Sequence, residues 1–367
     1  MALLFMDSFD HYAQADLLKK WDSAGQSAGT IAASGRFGSR WQDDGDDRKA
    51  IGKIIPNTEV VIMGFAFYVA VWPIYSSVVI TGKNGANSLL LYLDSSTHVL
   101  QLYKGATYLG QAATALAYNA WQYIEVKYKC HQTDGGGVVK VNGVSMIKVG
   151  AYADVPVGLD TTDTANNYLT SIYLRGSNIG YDSLDRQGFC GTYYYDDVYI
   201  ADDQGSVSNN FLGDTRIEYL APTGAGVMTQ FTPSTGSNWQ NVDESPASDA
   251  DYNSNNSPGA MDLFQMANLS GNGLVHGVQT ISRSKKDDAG FRKAEPVFYK
   301  ASGLGSTARL YKGSKTPVLD NFSNLPIQVF SVSPDTGVAW TVDEVNALQY
   351  GYAVGDAGMF TLDAKVV

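Results

Sequence analysis

Cysteine is scarce in this sequence, which has only Cys130 and Cys190 among 367 residues and no CxxC spacing. Two cysteines cannot by themselves build a thiolate zinc site, so a structural metal of that kind is excluded. Assembly in a reducing cytoplasm favours two partly buried thiols. The alternative is a disulfide, within one chain or between subunits, formed after release into an oxidising exterior. It would require Cα atoms within about 7 Å of each other.

Basic residues are also in short supply. Lys and Arg number 26 against 37 Asp and Glu, which gives a formal net charge of −11. Such a surface repels phosphate groups, so nucleic acid is not expected as a partner. The longest apolar run, residues 60–72, is too short for a membrane helix. The start lacks a basic segment and reaches Asp7 too early for a signal peptide. We therefore expect synthesis in a cytoplasm and no membrane partner.

Familiar catalytic motifs are missing as well. The sequence has no phosphate-binding glycine-rich loop with lysine and no Glu-x-Asp-x-x-Glu strand of the kind that jelly-roll glycosidases use. No histidine has a ligand partner close by in the sequence, and the four are His11, His98, His131 and His276. We therefore predict that the chain is not an enzyme and has no catalytic residue, no metal site and no cofactor.

Two acidic segments resemble calcium sites in composition only. Adjacent residues of a strand point to opposite faces, so Asp196 and Asp197 would not easily meet one ion. We predict instead that a carboxylate here anchors a loop by hydrogen bonds to backbone groups. The run Asp-Asp-Gly-Asp-Asp at residues 43–47 lacks the ligand spacing and distal Glu of an EF-hand, and a solvated acidic turn is predicted.

Strand-like segments dominate what is present. Residues 59–71 are rich in β-branched and aromatic side chains and predict a buried strand, with Gly64 as a candidate bulge. Residues 88–94 and 98–103 predict a hairpin. The alternation from Trp121 predicts one face that carries Trp121, Tyr123, Glu125, Lys127 and Lys129, and a core face that carries Gln122, Ile124, Val126, Tyr128 and Cys130.

This pattern indicates an all-β protein of two β-sandwich, jelly-roll-like domains in tandem, because turns and not helices separate the strands. The chain is too long for one ordinary core, and we place the domains at residues 1–205 and 206–367. A short helix is predicted over residues 16–21. A second is predicted near 341–350, where Thr341 and Glu344 form a capping box and Gly351 ends the helix.

Some aromatic residues could stack on sugar rings if they are exposed. The candidates are Trp41, Trp239, Tyr252 and the run Tyr193-Tyr194-Tyr195. Aromatic side chains on jelly rolls more often belong to the core or to protein interfaces, and we predict that role for most of them.

Several segments resemble known families. Residues 5–10, Trp121 to Lys129 and residues 195–200 resemble concanavalin A-like, laminin-G-like jelly rolls. Residues 211–222, Asn238-Trp239 with 242–246, and Asp335 to Thr341 with Val345-Asn-Ala347 resemble tailed-phage virion structural proteins. In those proteins a lectin-like jelly roll is joined to a second β-domain that ends in a tryptophan-threonine motif.

The resemblance implies a structural component of a tailed-phage particle, located on the capsid surface as a decoration, in the neck or collar, or in the tail. Its partners would be other virion proteins and further copies of itself, with a trimer as the first expectation. Its place would be the virion, after assembly in the host cytoplasm. The alternative is a host-adsorption protein that binds a surface glycan. A third reading, an enzyme acting on polysaccharide, predicts a groove with two facing carboxylates.

Overall fold

The computed structural model describes residues 2–25, 27–43, 49–73, 76–175, 191–301 and 309–355, together with the backbone of residues 360–366. The chain divides into two compact units. Unit 1 comprises Met1–Phe9 and Gln14–Arg216, and unit 2 comprises Asp10–Ala13 and Ile217–Val367. Each unit is built from two antiparallel sheets.

In the described residues of unit 1 there is one short helix, α1 (Leu17–Lys20), which follows a 3-10 turn at Gln14–Asp16 and matches the predicted helix over 16–21. Its strands are β1 (Leu3–Asp7), β2 (Ser23–Ala24), β3 (Thr30–Ala33), β4 (Ser39–Asp43), β5 (Ile51–Thr58), β6 (Val60–Val71), β7 (Ser77–Lys83), β8 (Asn87–Leu93), β9 (Leu100–Lys104), β10 (Thr107–Gln111), β11 (Trp121–Lys129), β12 (Gly136–Val141), β13 (Val144–Gly150), β14 (Leu169–Leu174) and β15 (Thr192–Asp202). The predicted buried strand is β6, and the predicted hairpin is β8–β9.

The eight-stranded sheet of unit 1 has the order β13-β12-β11-β6-β15-β4-β3, with β1 paired to β15. The seven-stranded sheet has the order β10-β9-β8-β7-β14-β5-β2. Alternate side chains of each sheet are fully buried, among them Phe65, Phe67 and Tyr195 in the first sheet and Leu91 and Leu102 in the second. In β6 residues 60–67 are buried at every position, and a strand buried on both faces is a nearly continuous apolar run, which is why β6 stands out in the sequence.

Tyrosine hydroxyl groups join the two sheets across the core. Tyr128 Oη donates to the Ser88 carbonyl at 2.7 Å, and Tyr195 Oη donates to the Val79 carbonyl at 2.9 Å. A buried hydroxyl group without a partner would cost about 1–3 kcal/mol. These bonds therefore explain how a sandwich core accommodates whole tyrosine side chains.

The predicted faces of β11 are half right. Ile124, Val126 and Tyr128 form the core face as predicted. The opposite face is not open, because Tyr123 and Glu125 are also buried. The segment 211–215 covers them: Gly213 N–H donates to Glu125 Oε1 at 2.8 Å, and Thr215 contacts the Tyr123 hydroxyl group.

Unit 2 has the strands β16 (Pro222–Thr229), β17 (Thr232–Pro233), β18 (Asn253–Asn255), β19 (Met261–Met266), β20 (Val278–Lys286), β21 (Lys293–Lys300), β22 (Arg309–Lys312), β23 (Thr316–Pro317), β24 (Ser323–Asn324), β25 (Gln328–Phe330), β26 (Leu348–Val354) and β27 (Phe360–Val366). One sheet has the order β16-β19-β26-β21-β22, with β23 on β21, and the other has the order β17-β18-β27-β20-β24, with β25 on β20. A 3-10 turn spans Asn238–Asn241, and the helix α2 spans Val342–Asn346. The core includes Phe264, Phe298, Trp340 and Tyr350.

The second predicted helix is present but shorter than expected. Thr341 and Glu344 form the capping box in both directions, as predicted. The predicted extent to residue 350 and the stop at Gly351 are wrong, because the helix ends at Asn346 and residues 348–354 form β26. Gly351 instead allows β26 to approach its neighbour β19 closely, because a Cβ at this position would clash with the Asp262 carbonyl oxygen.

The predicted fold class is confirmed: the chain is all-β, with two β-sandwich, jelly-roll-like units and short helices. No helix in the described part of the chain has the length and apolar character needed to cross a membrane.

Candidate functional site

Half-exposed aromatic side chains form a row on the outer face of the eight-stranded sheet. Strand pairing places Trp121 of β11 opposite Tyr68 of β6, and Tyr68 opposite Tyr194 of β15. The Tyr68 ring centroid lies 5.4 Å from that of Trp121 and 5.3 Å from that of Tyr194. Directly opposed residues of antiparallel strands share a face, so the three rings form one continuous strip.

Polar groups border this row at the β4 side. The Arg40 guanidinium lies 3.7 Å from the centroid of the Tyr194 ring, a cation–π contact. Arg40 also donates to Gln42 Oε1 at 3.2 Å, and Gln42 is paired with Tyr194 across β4 and β15. Within the described residues, the Tyr68 and Tyr194 hydroxyl groups and Trp121 Nε1 have no hydrogen-bond partner, so they remain available to a ligand.

A second aromatic group adjoins the row along β6. Trp72 follows the end of β6, and its ring stacks on His98 at 3.8 Å with an interplanar angle of 4°. The Tyr118 ring lies on Trp72 at 5.6 Å, and its hydroxyl group donates to the Ala70 carbonyl at 3.0 Å. Tyr118 is 48% exposed and is the open end of this stack.

We refer to these six residues as the aromatic surface: Tyr68, Trp72, His98, Tyr118, Trp121 and Tyr194. Residues 68 and 70 alternate onto one face, and a bulge interrupts the alternation between Val69 and Val71. The hydrogen bond from Tyr118 to Ala70 joins the Trp72 group to this part of the strand. From residue 68 to 72 the surface extends about 13 Å along the strand, and about 10 Å across three strands. Rings held against each other in this way lose little freedom when a ligand binds.

The aromatic residues predicted from the sequence have different positions. Trp41, Tyr193 and Tyr195 are completely buried in unit 1, so the prediction of a core role is confirmed for them. Trp239 packs against the core of unit 2. Tyr252 is half-buried beside Phe322, at 6.3 Å between centroids. Of the predicted candidates, only Tyr194 belongs to the aromatic surface.

The sequence pattern does not single out the other members of the surface. Tyr68 and Trp72 lie in an apolar run, where only their partial exposure distinguishes them. The predicted place of Trp121 on the outer face of β11 is the one available signal. Tyr118 and His98 lie in turns, and no periodicity reports which ring a turn residue will contact.

The acidic pair of β15, Asp196 and Asp197, binds the loop that contains Arg36. Asp196 Oδ2 accepts a hydrogen bond from Arg36 N at 2.7 Å, and Asp197 Oδ2 lies 3.6 Å from Arg36 Nη1. The predicted loop anchor is thus confirmed. The prediction that the two carboxylates point to opposite faces is wrong. A bulge between Asp196 and Tyr199 gives Asp197 a φ of 48°, and both carboxylates turn toward residue 36.

The other acidic run is described only at its first residue. Asp43 is buried and ion-paired with Arg175, while residues 44–47 lie outside the described residues. No group of three or more His, Cys, Asp or Glu side chains in the described ranges is arranged to hold a metal ion.

The histidines have structural contacts. His131 Nδ1 accepts from Thr133 N at 3.1 Å and from Asp134 N at 2.9 Å, which shapes a turn. His11 stacks on Tyr219 within unit 2, His276 is half-buried ahead of β20, and His98 belongs to the aromatic surface.

The thiol of Cys130 lies in the core of unit 1. Burial raises the pKa of this thiol to about 12, so it stays protonated and unreactive at neutral pH. Cys190 lies outside the described residues, so the predicted pair of reduced thiols and the alternative disulfide both stay to be tested.

One carboxyl group in unit 2, that of Glu244, has a raised pKa. Burial raises the pKa of Glu244 to about 7, and the hydrogen bond and negative charge of Asp251 add to this effect.

Comparison with known proteins finds distant similarity to solved structures. No family model and no curated protein matches the chain. Among solved structures, the PL-14 alginate lyase from Aplysia kurodai is 12% identical with a TM-score of 0.41, and the match covers 55% of this chain and 99% of that one. Alginate lyase Aly36B is 11% identical with a TM-score of 0.39, over 55% and 97%. A Trypanosoma rangeli sialidase is 12% identical with a TM-score of 0.34, over 50% and 27%.

These structures correct one prediction. The prediction from missing motifs that the chain is not an enzyme is wrong, because the similar structures include lyases and a sialidase. At these TM-scores the likeness concerns general architecture and assigns no activity to this chain.

Proposed function

We propose that unit 1 binds a glycan through the aromatic surface. The observation that carries the proposal is the contiguous, half-exposed arrangement of six aromatic side chains over four separate segments of the chain. The C–H face of a sugar ring packs on an aromatic ring, while hydroxyl groups need polar partners at the rim. Tyr68, Tyr194, Trp121 and Gln42 supply such partners.

The size of the surface favours a glycan over a protein partner. Its extent of about 13 by 10 Å corresponds to an area near 130 Å². A stable protein interface buries about 800 Å² on each partner. The aromatic surface alone is thus small for a protein interface and comparable to the contact area of a short oligosaccharide.

A glycan array with the full chain, followed by calorimetry on the strongest hit, tests the proposal. We expect Trp121→Ala to weaken binding at least about tenfold, equivalent to about 1.4 kcal/mol. Tyr118→Phe keeps the ring and should stay within about threefold of the original. Tyr108→Ala, an exposed tyrosine of the seven-stranded sheet, is the matched control. An array without hits, or unchanged binding by Trp121→Ala, would overturn the proposal.

We propose as a second candidate that the chain is a structural component of a tailed-phage virion, which acts through interfaces with neighbouring virion proteins and with its own copies, first of all as a trimer. The resemblance of residues 211–246 and 335–351 to such proteins supports it. Trp340 and Val345 of those segments are core residues of unit 2. A glycan-binding role at the host surface is compatible with a place in the capsid, neck or tail.

Mass spectrometry of purified particles tests this second candidate. The chain should be present in stoichiometric amounts, and a density map of the particle should assign its position and symmetry. Particles that lack the chain would remove the proposal, whereas the glycan experiment above would be unaffected.

A further inference from the structure

A cleft of about 530 Å³ lies at one end of a sheet in unit 2, where β16 begins, β19 ends and β26 begins. Five lining side chains carry amide or hydroxyl groups: Thr223, Gln265, Asn268, Asn346 and Gln349. The remaining lining residues are apolar, and none of the lining residues is charged. The cleft therefore offers hydrogen bonds and apolar contact without an ion pair.

Two of the amide groups are fixed in orientation by the backbone. Asn346 Oδ1 accepts from Leu269 N at 2.8 Å, and Gln349 Oε1 accepts from Val227 N at 2.8 Å. Because the oxygen atoms face backbone N–H groups, the NH₂ groups are the atoms left over. Within the described residues neither NH₂ group has an acceptor. The cleft thus holds two oriented donors, which bind a ligand without first having to be ordered.

Glycine residues of β16 make room for the amide side chains. A Cβ at Gly226 would lie 2.6 Å from Gln349 Oε1, and a Cβ at Gly224 would lie 3.3 Å from Gln265 Oε1. Any larger residue at 226 would displace the Gln349 amide group from its position. The edge strand and the amide side chains therefore form one wall.

We propose that this cleft is a second binding site, separate from the aromatic surface, for an uncharged saccharide. Sugar hydroxyl groups both donate and accept, which matches Asn and Gln amides and the Thr223 hydroxyl group. An acidic or basic ligand would leave its charge without a partner. A peptide added as a strand would pair along an edge, whereas these side chains lie across three strands.

Calorimetry and saturation-transfer NMR on the full chain test the site with neutral oligosaccharides of glucose, galactose, mannose and N-acetylglucosamine. Gln349→Glu and Asn346→Asp keep the accepting oxygen atoms and remove the NH₂ groups. We expect each to weaken binding of a neutral oligosaccharide at least about tenfold. Gln101→Glu on the seven-stranded sheet makes the same change elsewhere and should have no effect.

The aromatic-surface variant separates the two sites. Trp121→Ala should leave the binding of this oligosaccharide unchanged. The proposal is overturned if none of the neutral oligosaccharides binds, if both cleft variants bind as well as the original chain, or if the cleft takes only an acidic sugar or a peptide.

Discussion

The two units share an architecture but satisfy their polar groups differently. In unit 1 the ion pair of Asp7 and Lys20 is sealed from solvent, with side chains 0% and 1% exposed. Tyr128 and Tyr195 in the core of unit 1 bond to backbone of the opposite sheet. In unit 2 the ion pairs of Arg283, Lys286, Arg292, Lys300, Arg309 and Lys312 keep some solvent access, and Tyr350 donates to the Tyr352 hydroxyl group.

This difference has consequences for stability. An enclosed charge that loses its partner keeps its full desolvation cost, whereas a charge near solvent is rehydrated. We therefore expect single changes in polar groups to lower the unfolding free energy of unit 1 strongly. For unit 2 we expect smaller changes in unfolding free energy and a dependence of that free energy on pH. Since two units need not unfold together, stability should be followed for each unit separately, by hydrogen exchange resolved along the chain.

The largest effect is expected at Asp7. Its carboxylate accepts from Lys20 Nζ at 2.8 Å, from Trp21 Nε1 at 2.7 Å and from Phe9 N at 3.0 Å. Asp7→Ala leaves the Lys20 charge buried, and we expect unit 1 to lose about 3–5 kcal/mol of unfolding free energy. Denaturant unfolding monitored by hydrogen exchange measures this.

The exposed pair of Lys148 and Asp154 is the control for that variant. Asp154→Ala should change stability by less than about 0.5 kcal/mol, as expected for a solvated pair. Equal effects of the two variants would contradict the contrast between sealed and solvated charges.

A smaller effect is expected at Tyr128. Its hydroxyl group donates toward the Ser88 and Thr161 carbonyls, each at 2.7 Å. Tyr128→Phe removes the donor and leaves buried carbonyl oxygens unsatisfied, which should destabilise unit 1 by roughly 1–3 kcal/mol. Tyr350→Phe in unit 2 removes a hydroxyl that bonds to another side chain, and we expect a smaller loss. A larger loss for Tyr350→Phe would reverse the comparison.

The smallest effect is the pH response of unit 2 through Glu244. Its pKa in the folded state, about 7, is above its ordinary value of 4.5. The stabilisation by the protonated form is therefore complete below about pH 4.5 and is lost as the pH rises through about 7. Because the group is partly exposed, the loss should be only about 1 kcal/mol.

Unfolding of unit 2 measured between pH 4.5 and 8 tests this response. Glu244→Gln should make the unfolding free energy of unit 2 independent of pH over this range. Asp251→Asn should make the pH dependence smaller, because it returns the Glu244 pKa toward its ordinary value. A slope that persists in Glu244→Gln would show that other groups cause it.

Local sequence determined much of the fold. The apolar run of β6, the hairpin β8–β9, the core face of β11 and the capping box at Thr341 and Glu344 each follow from the spacing of neighbouring residues. Such patterns are properties of single strands or of one helical turn, so they are legible without a tertiary structure.

Strand order and bulges decided the rest. The aromatic surface unites residues 68–72, 98, 118–121 and 194, which meet only because β11 and β15 flank β6. The bulge at Asp197 turns two carboxylates to one arginine, and residues 211–215 bury the outer face of β11. Alternation states which side of a strand a residue occupies, but not which strand lies beside it. The neighbour is selected by packing energy summed over the whole sandwich.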